Sequence, residues 1–116
     1  MERATKAVAL FAALVAVSAS ARPSAGDTRP ISFQRLSLDE GLSQTTVLSI
    51  LQDRQGFMWF GTEDGLNRYD GAQVTVYARD ASNPESLPNN VVWAIAEDAA
   101  GDVWVATEGG GVARWE

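Results

Sequence analysis

Residues 42–63, LSQTTVLSILQDRQGFMWFGTE, return at residues 87–108 as LPNNVVWAIAEDAAGDVWVATE. At a constant offset of 45, Val47 meets Val92, Ile50 meets Ile95, Asp53 meets Asp98 and Gly56 meets Gly101. The same offset pairs Trp59 with Trp104, Thr62 with Thr107 and Glu63 with Glu108. An added glycine among Gly109, Gly110 and Gly111 then moves the offset to 46, so that Arg68 meets Arg114 and Tyr69 meets Trp115. Asp-x-x-Gly-x-x-Trp-x-x-Thr-Glu occurring twice in so short a chain is an internal repeat, which any fold reading has to satisfy first.

Each copy reads as short strands. Val47 to Gln52 is too short for a stable helix and rich in Val, Leu and Ile. Asp53-Arg54-Gln55-Gly56 has Asp and Gly at the first and fourth positions of a type I turn. Phe57 to Thr62 is the next strand, and Glu63-Asp64-Gly65 turns the chain into Leu66 to Tyr69. Asp70-Gly71 turns it again into Gln73 to Tyr77, which alternates. Residues 80–90, DASNPESLPNN, form a loop by composition. Phe57, Met58, Trp59 and Phe60 are all apolar, so both faces of this strand need cover, as when sheets stack face to face. Trp59 shares a face with Gly61, and Trp104 with Ala106. A large ring beside a small residue predicts a knob and a vacancy for an aromatic of the neighbouring sheet. Four strands per 45 residues match a propeller blade. The fold class expected is therefore all-β, built of antiparallel four-stranded β-propeller blades.

Composition narrows the function. The 116 residues carry nine Lys+Arg and fifteen Asp+Glu, a net charge of −6, with no basic run to suit nucleic acid. There is neither cysteine nor histidine, which excludes disulfides, Cys/His zinc sites, imidazole-based triads and a phosphorelay histidine within these residues. At the N-terminus, Arg3 and Lys6 precede the apolar run Ala7 to Val17, and Ala19-Ser20-Ala21 supplies a small-x-small site. This three-part pattern predicts a signal-peptide helix over 1–21, cleaved between Ala21 and Arg22. The run is shorter than the roughly 20 apolar residues that span a bilayer. Loss of Glu2, Arg3 and Lys6 leaves seven basic and fourteen acidic residues, a net of −7.

The stretches VLSILQDRQGFMWFGTEDGLNRYDG and VVWAIAEDAAGDVWVATEGGGVARW resemble the two-component regulator propeller repeat. ISFQRLSLDEGLS, before the first, is similar to that family's usual approach to its first blade. The second copy departs in having Ala106 for Gly61 and the added glycine. The resemblance implies a periplasmic sensor region of a histidine kinase, in some cases hybrid, or of a diguanylate cyclase, anchored in the inner membrane. It also implies a small extracytoplasmic ligand, with oligosaccharides bound by related sensors, and further blades and a dimeric full-length sensor as partners. No cofactor is implied, and none of the output machinery is in this sequence.

On this reading the segments are a signal peptide (1–21), an exposed lead-in (22–30), and a leading strand (31–42) that completes the last blade of a ring. Blade 1 (43–79), an interblade loop (80–90) and an incomplete blade 2 (91–116) follow. Because blades need neighbours, the chain is expected to be an N-terminal fragment or truncated product. The residues of the structural repeat are Asp53, Gly56, Trp59, Gly61, Thr62, Gly65, Asp98, Gly101, Trp104 and Thr107. Asp53 and Asp98 are read as turn residues, since neither has the spacing of a calcium loop, and the tryptophans as core. No metal site or catalytic residue is predicted, and Tyr69 and Tyr77 read as packing. Interblade loops and second-to-third-strand turns share one end, which presents Ser43, Gln44, Thr45 and Asn83. Glu63, Asp64, Asn89, Asn90 and Glu108 are the candidate ligand-binding residues there, because carboxylates and amides suit hydroxyl-rich ligands. The function expected is a sensory binding domain. An exported propeller enzyme of lyase or glycosidase type, or a non-catalytic adhesive or scaffolding propeller, are the alternatives.

Overall fold

A computed structural model describes Gly26 and residues 29–116. The predicted signal peptide, its cleavage site at Ala21 and Arg22, and most of the lead-in lie outside the described residues. Two antiparallel sheets follow one another along the chain. Strands β1 (Val47–Gln52), β2 (Met58–Thr62), β3 (Gly65–Tyr69) and β4 (Val74–Tyr77) form the first, in the order β1-β2-β3-β4. The second has β5 (Val92–Glu97), β6 (Val103–Thr107) and β7 (Gly111–Trp115), in the order β5-β6-β7. The all-β meander of the sequence reading is what the chain adopts, with edges moved by a residue: Phe57 and Gln73 lie outside strands and Gly65 within one.

Both β1–β2 turns close in the same way. Asp53 N–H donates to Phe57 O (2.9 Å) and Gly56 N–H to Asp53 O (3.0 Å). Asp98 N–H donates to Asp102 O (3.0 Å) and Gly101 N–H to Asp98 O (3.1 Å). Gly56 and Gly101 have φ of 92° and 93°, a left-handed geometry that a side chain would strain. The Asp carboxylates then reach beyond the turn. Asp53 Oδ1 accepts from the N–H of Gln55 (2.9 Å) and Phe57 (3.0 Å), while its Oδ2 accepts from Trp59 Nε1 (2.8 Å). Asp98 Oδ2 accepts likewise from Trp104 Nε1 (2.8 Å). Across the sheet Trp59 pairs with Arg68, and Trp104 with Arg114. The guanidinium of Arg68 lies 5.8 Å from the Trp59 ring centre, and that of Arg114 lies 5.6 Å from the Trp104 ring centre. The repeat is thus a carboxylate–indole–guanidinium module built twice.

The two sheets pack face to face through Trp59, Leu66, Leu87, Val92, Val103 and Val105. Trp59 is fully buried, 5.1 Å from the Trp115 ring and 6.1 Å from that of Tyr77. The vacancy at Gly61 is filled by an aliphatic residue rather than the aromatic expected. A Cβ on Gly61 would lie 2.7 Å from Val92 Cγ1, 2.9 Å from Val92 O and 2.3 Å from Ser49 Oγ. The reason is the stagger between sheets: the start of β5, not its neighbouring strands, crosses Gly61. Arg54 fastens the other end, with Nε 3.3 Å from Glu97 Oε1 and Nη1 donating to Ala99 O (2.7 Å).

The leading strand expected over 31–42 is not a strand here. Residues 31–37 have no regular secondary structure, and a short 3₁₀ turn occupies Leu38–Glu40. A strand needs a paired edge to satisfy its backbone, and among the described residues no strand pairs with this segment.

The Asp98 carboxyl is held below the usual carboxylate range, first by the Trp104 indole N–H and then by the N–H groups of Asp102 and Ala100, with burial working against the shift. A carboxyl lowered on folding contributes stability above its unfolded pKa and loses it as pH falls through the folded value. The resonance of the Trp104 indole proton should therefore report an Asp98 titration lying below the usual carboxylate range, and Asp98→Asn should remove that step. A titration within or above the usual range overturns the assignment.

Candidate ligand-binding rim

The turns between β2 and β3 and between β6 and β7, together with the loop that joins the sheets, lie at one end of the strands. Two backbone hydrogen bonds hold them side by side. Gly65 N–H donates to Asn90 O (2.6 Å), and Glu108 N–H donates to Val91 O (3.0 Å). The run Asn89–Val91 therefore lies between the Glu63–Asp64 turn and Glu108, so all five candidate residues share one rim. Their roles divide. Glu63, Asp64 and Glu108 have exposed side chains. Asn89 Oδ1 accepts from Val91 N–H (2.9 Å) and Asn90 Oδ1 from Arg79 N–H (2.7 Å), so these two amides shape the loop before they serve a ligand.

A polar network beneath the rim fixes it in blade 1. Ser43 N–H donates to Asn67 Oδ1 (2.9 Å), and Asn67 Nδ2 donates back to Ser43 Oγ (2.8 Å). Thr62 Oγ1 donates to Gly65 O (2.8 Å) and accepts from Asp64 N–H (3.0 Å), which sets the Glu63–Asp64 turn. Asn67 and Thr62 are fully buried, and their pairing removes the cost of that burial. In blade 2, Thr107 Oγ1 donates to Gly111 O (3.0 Å) in the same manner. Gln44 and Asn83 are occupied locally, Gln44 Oε1 accepting from Thr45 N–H (2.7 Å) and Asn83 Oδ1 from Glu85 N–H (3.0 Å).

One rim residue escaped the sequence reading. Trp93 is the second residue of β5, at a β-bulge between Val92 and Ala94, and is 53% exposed. The same irregularity falls between Val47 and Ser49 in blade 1, where Leu48 stands in its place. Bulges re-aim side chains next to functional sites. The one signal in the sequence was a tryptophan at a position outside the repeat's shared pattern. Among the described residues no cluster of carboxylates has the grouping of a metal site.

Comparison with known proteins agrees with this architecture. The sequence profile of the family described as two component regulator propeller matches residues 41–64 and 86–109. Histidine kinase P4 of Formosa agariphila is 38% identical over 55 residues, which are 47% of this chain and 4% of that kinase. Among solved structures, an extracellular domain assigned to a hybrid two component system of B. thetaiotaomicron is 38% identical, with a TM-score of 0.68. The match covers 74% of this chain and 12% of that domain. A second such extracellular domain from the same organism is 30% identical, with a TM-score of 0.54, over 59% of this chain and 9% of its own. The chain thus spans a small part of each relative. These neighbours are extracellular domains, in line with the export pattern at the N-terminus, and the location of this chain is periplasmic. The two copies of the carboxylate–indole–guanidinium module, stacked as consecutive blades, are thus two repeats of the two component regulator propeller type, matched at residues 41–64 and 86–109.

Proposed function

We infer that this chain supplies two blades of a periplasmic sensor propeller that binds a small ligand at the rim and feeds a transmembrane signalling protein. The observation that carries this reading is the rim itself. Backbone hydrogen bonds bring two acidic turns against the Asn89–Val91 run, and Trp93, two residues further along in β5, is exposed. An indole face beside carboxylates and amides suits a neutral, hydroxyl-rich ligand such as an oligosaccharide: the ring takes the apolar face of a sugar and the polar groups take its hydroxyls. Glu63, Asp64 and Glu108 give the rim negative charge, which disfavours sulfated or uronic acid sugars. Output by a histidine kinase phosphorelay, or by a diguanylate cyclase, belongs to other parts of the full-length protein, as does dimerisation. The likeness to a histidine kinase favours the phosphorelay. The contribution of this chain is binding and not catalysis.

The test is titration with a panel of neutral and acidic oligosaccharides, followed by tryptophan fluorescence and calorimetry. A neutral member should bind, and Trp93→Ala and Glu63→Gln/Glu108→Gln should each weaken it about tenfold, equivalent to about 1.4 kcal/mol. Binding of the acidic members alone, or unchanged affinity in both variants, refutes the rim as the site.

A further inference from the structure

The carboxylates of the rim can only accept hydrogen bonds, whereas a sugar hydroxyl both donates one and accepts others. A hydroxyl oxygen held there without a donor loses the partners that water gave it. The donors of the rim therefore matter as much as its acids, and the repeat supplies them. Gln44 and Asn89 occupy the same place in the two copies, at the offset of 45 that also pairs Glu63 with Glu108. Gln44 Oε1 accepts from the backbone N–H of Thr45 (2.7 Å) and Thr46 (3.4 Å) and from Thr45 Oγ1 (3.2 Å). Asn89 Oδ1 accepts from the backbone N–H of Val91 (2.9 Å). In both copies the amide carbonyl is thus closed onto the N–H two residues further on.

That closure fixes the role of each amide. A backbone N–H can only donate, so the atom it meets is the carbonyl oxygen, and the NH₂ group is left over. Among the described residues, nothing in the chain accepts from Gln44 Nε2 or Asn89 Nδ2, and neither nitrogen is buried without a partner, as Ser49 Oγ is. Each amide also has a carboxylate for a neighbour. Ser43 Oγ lies 3.2 Å from Thr62 Oγ1, which brings the next residues, Gln44 and Glu63, alongside one another. The bond from Glu108 N–H to Val91 O (3.0 Å) brings Glu108 to the loop that Asn89 closes. The supports differ between copies. Buried Asn67 holds Ser43 in blade 1, whereas in blade 2 Ala113 and Pro88 stand at those places, and Pro88 packs on Gly110, where a Cβ would lie 2.8 Å from Pro88 Cβ. Closing the loop needs only an acceptor, which Asp or Ser would supply. An amide adds a donor, and both copies have one.

We propose that each of these two blades reads one pair of neighbouring hydroxyls on a neutral oligosaccharide. The amide N–H of Gln44 or Asn89 donates to one hydroxyl oxygen, and the carboxylate of Glu63 or Glu108 accepts the proton of the next. The proposal rests on the rim being the ligand site and makes Gln44 and Asn89 its specificity-determining residues. Sheets stacked face to face lie about 10 Å apart, so the two pairs address different sugar residues of one chain. A monosaccharide satisfies one pair, and an oligosaccharide satisfies both.

Calorimetric titration of the chain with neutral tetrasaccharides of glucose, xylose, mannose and galactose tests it. Gln44→Glu and Asn89→Asp each keep an oxygen to close the loop and lose only the N–H donors. Each should weaken the tetrasaccharide that binds the unsubstituted chain about tenfold, with the β-sheet circular dichroism signal unchanged. A hydroxyl can turn to donate or to accept. Gln44→Glu/Glu63→Gln, which exchanges donor and acceptor at constant net charge, should therefore recover most of that loss. The corresponding monosaccharide should bind more weakly than its tetrasaccharide by about tenfold or more. If both amide variants bind as the unsubstituted chain does while Trp93→Ala is weakened, the pairing is overturned and the rim stands as the site. A double variant no better than Gln44→Glu overturns the pairing as well. Binding of no tetrasaccharide overturns the pairing and the rim reading together.

Discussion

Trp59→Ala should abolish cooperative unfolding of this chain, while Trp104→Ala should leave the fold standing. The two tryptophans are equivalent in the repeat, hold the same hydrogen bond to an aspartate (2.8 Å in both), and lie beside an arginine. They differ in cover. Trp59 is sealed between the sheets by Tyr77 and Trp115, and Trp104 is 40% exposed. Truncating a buried tryptophan costs about 3–5 kcal/mol, from lost burial and the cavity left behind. It also deprives Asp53 of one of three donors in a site from which water is largely excluded. Net stabilities of small domains are about 5–15 kcal/mol and fall with size, so a two-blade unit has little margin to lose. At Trp104 water replaces the missing indole, because the ring already stands 40% exposed. Urea unfolding under dilute conditions, read by circular dichroism, distinguishes the pair. Equal losses in both variants would mean that stability comes from each blade separately and not from their contact.

That contrast also shows what could be read from the residues alone. The strands, the Asp–Gly turns and the stacking of apolar faces follow from local chemistry, and Asp53-Arg54-Gln55-Gly56 folds as its composition dictates. The indole hydrogen bond to the turn aspartate was hidden because it spans six positions and exists only after β1 and β2 have paired. Residues 31–37 have the alternation of a strand, yet pairing depends on an edge that no pattern within those residues supplies. At the rim, Glu63, Asp64 and Glu108 could be assigned to one end from strand parity. The occupation of Asn89 and Asn90 by backbone N–H groups could not, since it depends on the path of the interblade loop. Trp93 was obscured by the bulge, which breaks the period-two rule by which a strand residue is assigned to a face.

Gly61 offers the other large effect, and it tests how closely two blades must approach. Gly61→Ala should destabilise the chain by about 1–3 kcal/mol, the usual cost of overpacking a close contact. The added methyl meets Ser49 Oγ at 2.3 Å, Val92 Cγ1 at 2.7 Å and Val92 O at 2.9 Å. The first of these can be relieved, because Ser49 Oγ is buried without a hydrogen-bond partner among the described residues. Ser49→Ala alone should thus be neutral or mildly stabilising, since it removes an unpaired polar atom. The chain already contains the combined solution: blade 2 has Ala106 where blade 1 has Gly61, and Ala94 where blade 1 has Ser49. Gly61→Ala/Ser49→Ala should recover part of the loss, with a coupling of about 0.5–3 kcal/mol in a double-mutant cycle. Recovery should stop short of completion, because Val92 and its carbonyl belong to the next sheet and can yield only if the blades separate. Additive effects of the two substitutions would mean that the sheets move apart freely at this point, and the close approach at Gly61 would then not hold the blades in register.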